Sequence, residues 1–177
     1  MATDIPHELQ ELEANSGIFA IWMVFHHYSI DLEISDLVQL CRHDPDAGTS
    51  TIALCVALQK LGLDVVFSTD FDSDLQDNEI HFYTEAKQLN IAIQPAMSYS
   101  QIQYAVEQGQ FVIVYYDTLE GVGNHSLIYS IDDEQIEFFD SFEAMPKSVF
   151  EQQRQVEGIC QQAILIDDRA FVVRAQQ

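Results

Sequence analysis

The chain predicts an α+β fold, and three observations carry that reading. Helical patterns dominate the first third, between residues 14 and 61, with apolar residues returning every three or four positions. From residue 110 onward the pattern turns to β-branched and aromatic runs broken by acidic turns, which read as an antiparallel sheet. The 177 residues, 47% hydrophobic and 11% aromatic, suffice for one self-supporting core, and no repeat or flexible linker divides them.

The elements follow in order. Ile18, Ile21, Trp22, Phe25 and Tyr28 form one apolar face of a helix over 14–28, with Asn15 or Ser16 as its cap. A second helix spans 33–43, with Ser35 as cap. "DPDAGTS" is a loop, and Thr49 or Ser50 caps a third helix over 51–61 that stops at Gly62. A strand over 63–69 and an acidic loop come next. A helix over 79–90, a short strand over 91–96 and a helix over 98–109, from a serine cap to Gly109, complete the middle of the chain. "QFVIVYYDT" reads as a buried strand. "HSLIYSID" and "QIEFFDSF" make a hairpin around "DDE". A helix over 148–155 follows Pro146, and strands over 160–166 and 170–175 end the chain.

Charge and composition exclude several functions. The net charge of -22, from 29 acidic against 7 basic residues, argues against nucleic-acid binding through phosphates. It serves either solubility or the steering of a basic partner. No apolar run reaches membrane-spanning length; "GIFAIWMVF" is the longest candidate, and no membrane is expected as partner. The acidic start lacks a basic n-region, so a cytoplasmic protein is expected, or one secreted without a signal peptide. Cys41, Cys55 and Cys160 are odd in number and widely spaced, which argues against disulfides.

No cofactor or metal is expected. Adjacent His26 and His27 diverge by about 100° on a helix, too far apart to share one ion easily. Cys41, His43, Asp44 and Asp46 lack a second cluster to complete a zinc site. Asp70, Asp72 and Asp74 resemble the start of a calcium loop, but Leu75 and His81 stand where glycine and glutamate belong, so a solvated acidic loop is the better reading.

A candidate catalytic set remains. Ser16 opens the first long helix, Gln10 lies six residues before it, His125 begins a strand after "GVGN", and Asp140 ends the next strand fifteen residues on. Taken singly these are a helix cap, a surface glutamine, a core histidine and a turn former. Together they match what thiol-based amide chemistry needs: a nucleophile at a helix N-terminus, a histidine base, a group orienting it and an oxyanion donor.

"Q-ELEAN-S-G-IFAIWMVFHHY", the "GTSTIALCVALQKLGLDV" stretch and "NHSLIYSIDDEQIEFFDS" resemble the papain-like bacteriocin-processing (double-glycine) cysteine peptidases, over roughly residues 8–141. The segment 79–108 is more similar to the stand-alone relatives than to the transporter-fused domains. The resemblance implies a papain-like fold, with N-terminal helices packed on a C-terminal antiparallel sheet, and attack on an amide or thioester carbonyl. In that chemistry His125 would take the proton, Asp140 would orient it, and Gln10 with the backbone N–H of residue 16 would hold the oxyanion. Water as acceptor gives hydrolysis and an amine gives acyl transfer. The expected partner is a peptide or protein, a basic one first given the charge.

The departure is at the nucleophile, where the family has cysteine and this chain has Ser16. A serine hydroxyl is far less acidic than a thiol, so a site tuned for a Cys–His pair activates it poorly. An introduced Cys-to-Ser change, a natural degenerate member and an active serine hydrolase are the three readings of that position. The competing class is non-catalytic: a pseudo-peptidase that holds peptides, or an acidic inhibitor-like protein that blocks a basic partner.

Overall fold

The computed structural model describes residues 5–118, 122–141, 143–169 and 171. A short helix α1 (His7–Glu11) precedes the long α2 (Ser16–His27). Then come α3 (Ile34–Leu40), α4 (Thr51–Lys60), β1 (Asp64–Ser68), α5 (Asp77–Gln88), β2 (Ala92–Gln94), α6 (Tyr99–Glu107) and β3 (Phe111–Asp117). Strands β4 (Gly123–Ile131), β5 (Gln135–Phe138) and β6 (Met145–Pro146), helix α7 (Lys147–Arg154) and β7 (Ala163–Asp167) follow. Most predicted boundaries fall within three residues of these.

The strands form one sheet in the order β2-β1-β7-β3-β4-β5-β6. Its pairings are antiparallel except at one edge, where β2 lies parallel to β1. The sheet also draws in two strands from the middle of the chain, β1 and β2. They join parallel because α5 carries the chain back across a βαβ-type crossover.

Strand alternation sorts the core into two layers. Ile113, Leu127, Ile164 and Ile166 face one side, where they pack with Ile18, Ile21 and Trp22 of α2 and Leu54 and Leu58 of α4. Val112, Val114, Tyr116, Ile128, Ile136 and Phe138 face the other, against Ile102 of α6 and Phe150 of α7. Helices therefore cover both faces of the sheet.

Local signals explain most boundaries. The Ser50 hydroxyl accepts the Ala53 N–H to cap α4, and Ser98 with Gln101 builds a capping box for α6. Gly62 and Gly109 take left-handed φ values of 104° and 87° just past α4 and α6. Ser35 does not cap α3: Glu33 holds that position and Ser35 lies inside the helix. Sequence reading missed α1 and β6, which are five and two residues long. The strand expected at 170–175 lies almost wholly outside the described residues.

Candidate functional site

Ser16 is the first helical residue of α2, not its cap. Asn15 precedes it and caps nothing with its side chain, donating instead from Nδ2 to the Leu9 carbonyl at 2.8 Å. The Ser16 hydroxyl has another partner. It accepts the backbone N–H of His125 at 3.1 Å. Sheet geometry explains why that N–H is free: Tyr115 opposes His125 in the β3–β4 register, and the Tyr115 N–H points outward to the Gln162 carbonyl. In such a pair both N–H groups face away from the partner strand and the side chains lie close. The β5 ladder begins only at Ile128, so nothing in the sheet meets the His125 N–H, and Ser16 fills that gap.

The same register places the Tyr115 and His125 rings in a stack, with centroids 4.3 Å apart and planes tilted by 26°. The His125 side chain is 4% exposed, and its Nε2 is hydrogen-bonded to the Thr51 hydroxyl, at the start of α4, at 2.8 Å. A Cβ on Gly17 would meet the Leu54 methyl groups at 3.2 Å, so the glycine lets α2 pack closely on α4, whereas the His125 Nδ1 at 3.5 Å would be in ordinary contact. Burial disfavours the charged imidazolium and pulls the pKa from 6.5 down to about 3. His125 is therefore neutral at any physiological pH.

Asp140 follows β5 on the other side of β4. Its carboxylate accepts the Ser126 hydroxyl at 3.1 Å. Ser126 also receives the Asn124 amide at 3.0 Å and meets the Tyr116 hydroxyl at 2.8 Å. Asp140 is exposed as a residue, but its carboxyl meets this network; desolvation raises its pKa, and the hydrogen bonds from Ser126 and Asn124 partly oppose the rise. Asn124 and Ser126 share one face of β4 while His125 and Leu127 share the opposite one, as the period of two requires.

The four expected residues thus come together only in part. Ser16 and His125 meet through the backbone of residue 125. Asp140 meets Ser126, and no hydrogen bond joins its carboxylate to the His125 ring among the described residues. Gln10 is exposed on α1 and donates from Nε2 to the Ile5 carbonyl at 2.9 Å; it lines neither cavity beside Ser16. Sequence reading did not single out Thr51, Tyr115, Asn124 or Ser126. The alternation in "NHSL" carries the signal that Asn124 and Ser126 part company with His125, but not which face meets Ser16.

Two cavities flank Ser16. One, of about 180 Å³, is bounded by Ala14, Gly48, Thr49, Tyr115 and Gly123. The second, of about 380 Å³, is more apolar and is walled by Ile5, Phe19 and Phe139 with Asp140 and Ser141. Ser16, Asn15 and Asn124 border both.

Several of the other candidate ligands are engaged within the chain. His43 uses both ring nitrogens, at 2.8 Å each, on the Thr49 hydroxyl and the Glu13 carbonyl. Asp44 accepts the N–H groups of Asp46 and Ala47 in a local turn, which lowers its pKa. His26 stacks on Trp22, and His27 lies edge-on to Phe111. Among the described residues no group of three or more His, Cys, Asp or Glu side chains could hold a metal ion, and no helix is long and apolar enough to cross a membrane.

No family model matches the sequence, and neither does any curated protein. Among solved structures, the chain is similar to the peptidase domain of Streptococcus ComA, a bi-functional ABC transporter involved in a quorum sensing pathway. The identity is 17%, the TM-score 0.53, and the match covers 85% of this chain and 89% of that domain. At that identity the likeness speaks for the fold: the chain has the α+β architecture of a papain-like peptidase domain.

Proposed function

We propose that this chain is a peptide-binding module that uses a papain-like cleft without cutting what it holds. One observation carries the reading: the His125 imidazole is enclosed, hydrogen-bonded to Thr51 and held neutral with a pKa of about 3. A base with that pKa is a poor match for a serine hydroxyl at neutral pH, since general-base catalysis works best with a pKa near the working pH. Asp140, which would orient the base, is engaged by Ser126 instead. What persists of a peptidase is the cleft, with cavities on both sides of Ser16.

The second reading is a cysteine peptidase-type hydrolase or acyltransferase in which position 16 is properly cysteine. The approach of the Ser16 hydroxyl to the His125 backbone, 3.1 Å, favours it, because it puts the nucleophile's position beside the histidine's strand. In that case a thiolate attacks the carbonyl carbon, His125 carries the proton to the leaving group, and water or an amine then releases the acyl group.

Alkylation of Ser16→Cys by iodoacetamide between pH 5 and 9 separates the two. The variant is made with Cys160→Ser, because Cys41 and Cys55 are buried thiols with raised pKa values whereas Cys160 is partly exposed. The binder reading expects a thiol that titrates at or above the ordinary ~8.5 and ignores His125→Ala. A thiol that reacts well below that pH and loses its reactivity with His125→Ala overturns it in favour of the enzyme.

A further inference from the structure

The two cavities at Ser16 are part of a longer groove. The smaller one shares Ala47, Gly48, Thr49 and Tyr115 with a third cavity of about 350 Å³. That third cavity lies between the loop before α4 and the start of α5, and it is lined by Asp44, Asp72, Asp74 and Glu79. The three cavities therefore adjoin one another, from an apolar end at Ile5, Phe19 and Phe139, past Ser16, to an end carrying four carboxylates. Among the described residues no lysine or arginine lines any of the three cavities.

We infer that this groove receives one extended peptide, with a bulky apolar side chain seated between Ile5, Phe19 and Phe139 and lysine or arginine residues lying against Asp44, Asp72, Asp74 and Glu79. The inference rests on the peptide-binding reading and specifies its ligand.

Four points support it. The two ends differ in chemistry, so the groove has a direction, and only a chain-like ligand can satisfy both ends at once. The carboxylates are not arranged around a point: no three of the described acidic side chains could share a metal ion, so their charge suits a ligand with distributed cations. Burial pushes the Glu79 carboxyl above its usual range, and repulsion from Asp72 and Asp74 adds to that rise. A basic peptide would relieve that repulsion. Finally, the apolar end keeps Phe139 38% exposed, an aromatic surface that folding leaves open.

The test is fluorescence anisotropy with labelled ten-residue peptides on the full chain. One set carries a phenylalanine and two lysines separated by two to six serines, in both orders. A second set replaces lysine with serine, a third replaces it with glutamate, and a fourth replaces the phenylalanine with serine. Expected is binding that needs both features and prefers one order and spacing. It should weaken about tenfold in Asp72→Asn/Asp74→Asn/Glu79→Gln and fall with added salt, since each exposed pair contributes only a fraction of a kcal/mol to about one. Phe139→Ser should weaken the phenylalanine peptides to the level of the serine control. Circular dichroism confirms that both variants fold.

Glutamate or serine peptides that bind as well as lysine ones overturn the proposal while leaving peptide binding intact. Lysine peptides that bind regardless of phenylalanine, order and Phe139→Ser also overturn it, because that is attraction to net charge alone. Failure of every peptide at millimolar concentration removes the peptide-binding reading itself.

Discussion

Lowering the pH should destabilise this protein through one side chain, and the effect can be isolated. His125 has a pKa of about 3 in the folded chain against 6.5 when free. Between those values the unfolded chain binds a proton that the folded chain refuses, so stability rises with pH across that window. The contribution is complete above pH 6.5 and is lost as the pH falls toward 3. At pH 4.5 the unfolded imidazole is essentially all protonated and the folded one almost all neutral, which costs about 2.7 kcal/mol relative to pH 8. Against a total of roughly 5–15 kcal/mol for a domain, that is a large fraction. Other groups act in the opposite sense: Asp140 and Glu79 have raised pKa values and take up protons more readily when folded, which favours the folded state on acidification. The measurement is therefore a difference. Urea unfolding of the parent and of His125→Gln is followed at pH 8 and pH 4.5. Glutamine can still bond the Thr51 hydroxyl but does not titrate, so the shared carboxylates cancel. The parent should lose about 2–3 kcal/mol more than the variant between the two pH values. Parallel losses, equal to within about 0.5 kcal/mol, would show that the imidazole is not sequestered in the folded chain.

Two further substitutions probe the surroundings of that ring. A Cβ on Gly123 would overlap the Tyr115 ring and hydroxyl, so Gly123→Ala must drive Tyr115 off its stack on His125. It should cost about 1–3 kcal/mol as an overpacked site, and Gly123→Ala/Tyr115→Ala should cost clearly less than the sum of the single changes; strict additivity in urea unfolding argues against the clash. The second concerns the Asp140 face of β4. Asn124→His, added to Ser16→Cys, would place an imidazole beside Ser126 and Asp140 and at the edge of both cavities. The thiol's pKa should fall by about one unit or more relative to Ser16→Cys alone, read from alkylation rate against pH; an unchanged profile means residue 124 does not reach the thiol.

The helices were the most legible part of the sequence because each carries its own punctuation. Ser50 and Ser98 cap α4 and α6, and Gly62 and Gly109 end them, so neither boundary depends on distant contacts. Helix α1 has no such signal: five residues follow Pro6 without a side-chain cap, and it is held by burial of Leu9. Strand identity was legible from β-branched and aromatic content, but strand order was not. That β7 slots between β1 and β3, and that β2 joins parallel at the edge, depends on which apolar faces meet across long stretches of chain. Local propensity carries no information about such pairings.

The site divides along the same line. That Ser16 would lie next to the strand of His125 was legible from a likeness to peptidases. Whether the imidazole would reach the hydroxyl was not, because strand register decides it and a shift of one residue reverses every side chain. In this register the ring enters the layer between β4 and α4, where Thr51 supplies a hydrogen bond and Tyr115 a stacking surface. Together these neighbours bury the ring, and burial, which favours the neutral form, makes the histidine a good structural tie and a poor base. A proton acceptor that must become charged in the course of catalysis cannot also be stabilised by exclusion of charge. Restoring chemistry here would thus require undoing the packing that joins α2 and α4 to the sheet, or moving the base to the other face of β4, where Asp140 and the larger of the two cavities beside Ser16 lie. The first route would cost stability before it yielded activity. The second needs one substitution on a strand that already borders the cleft, and so Asn124→His is the more informative perturbation of the two.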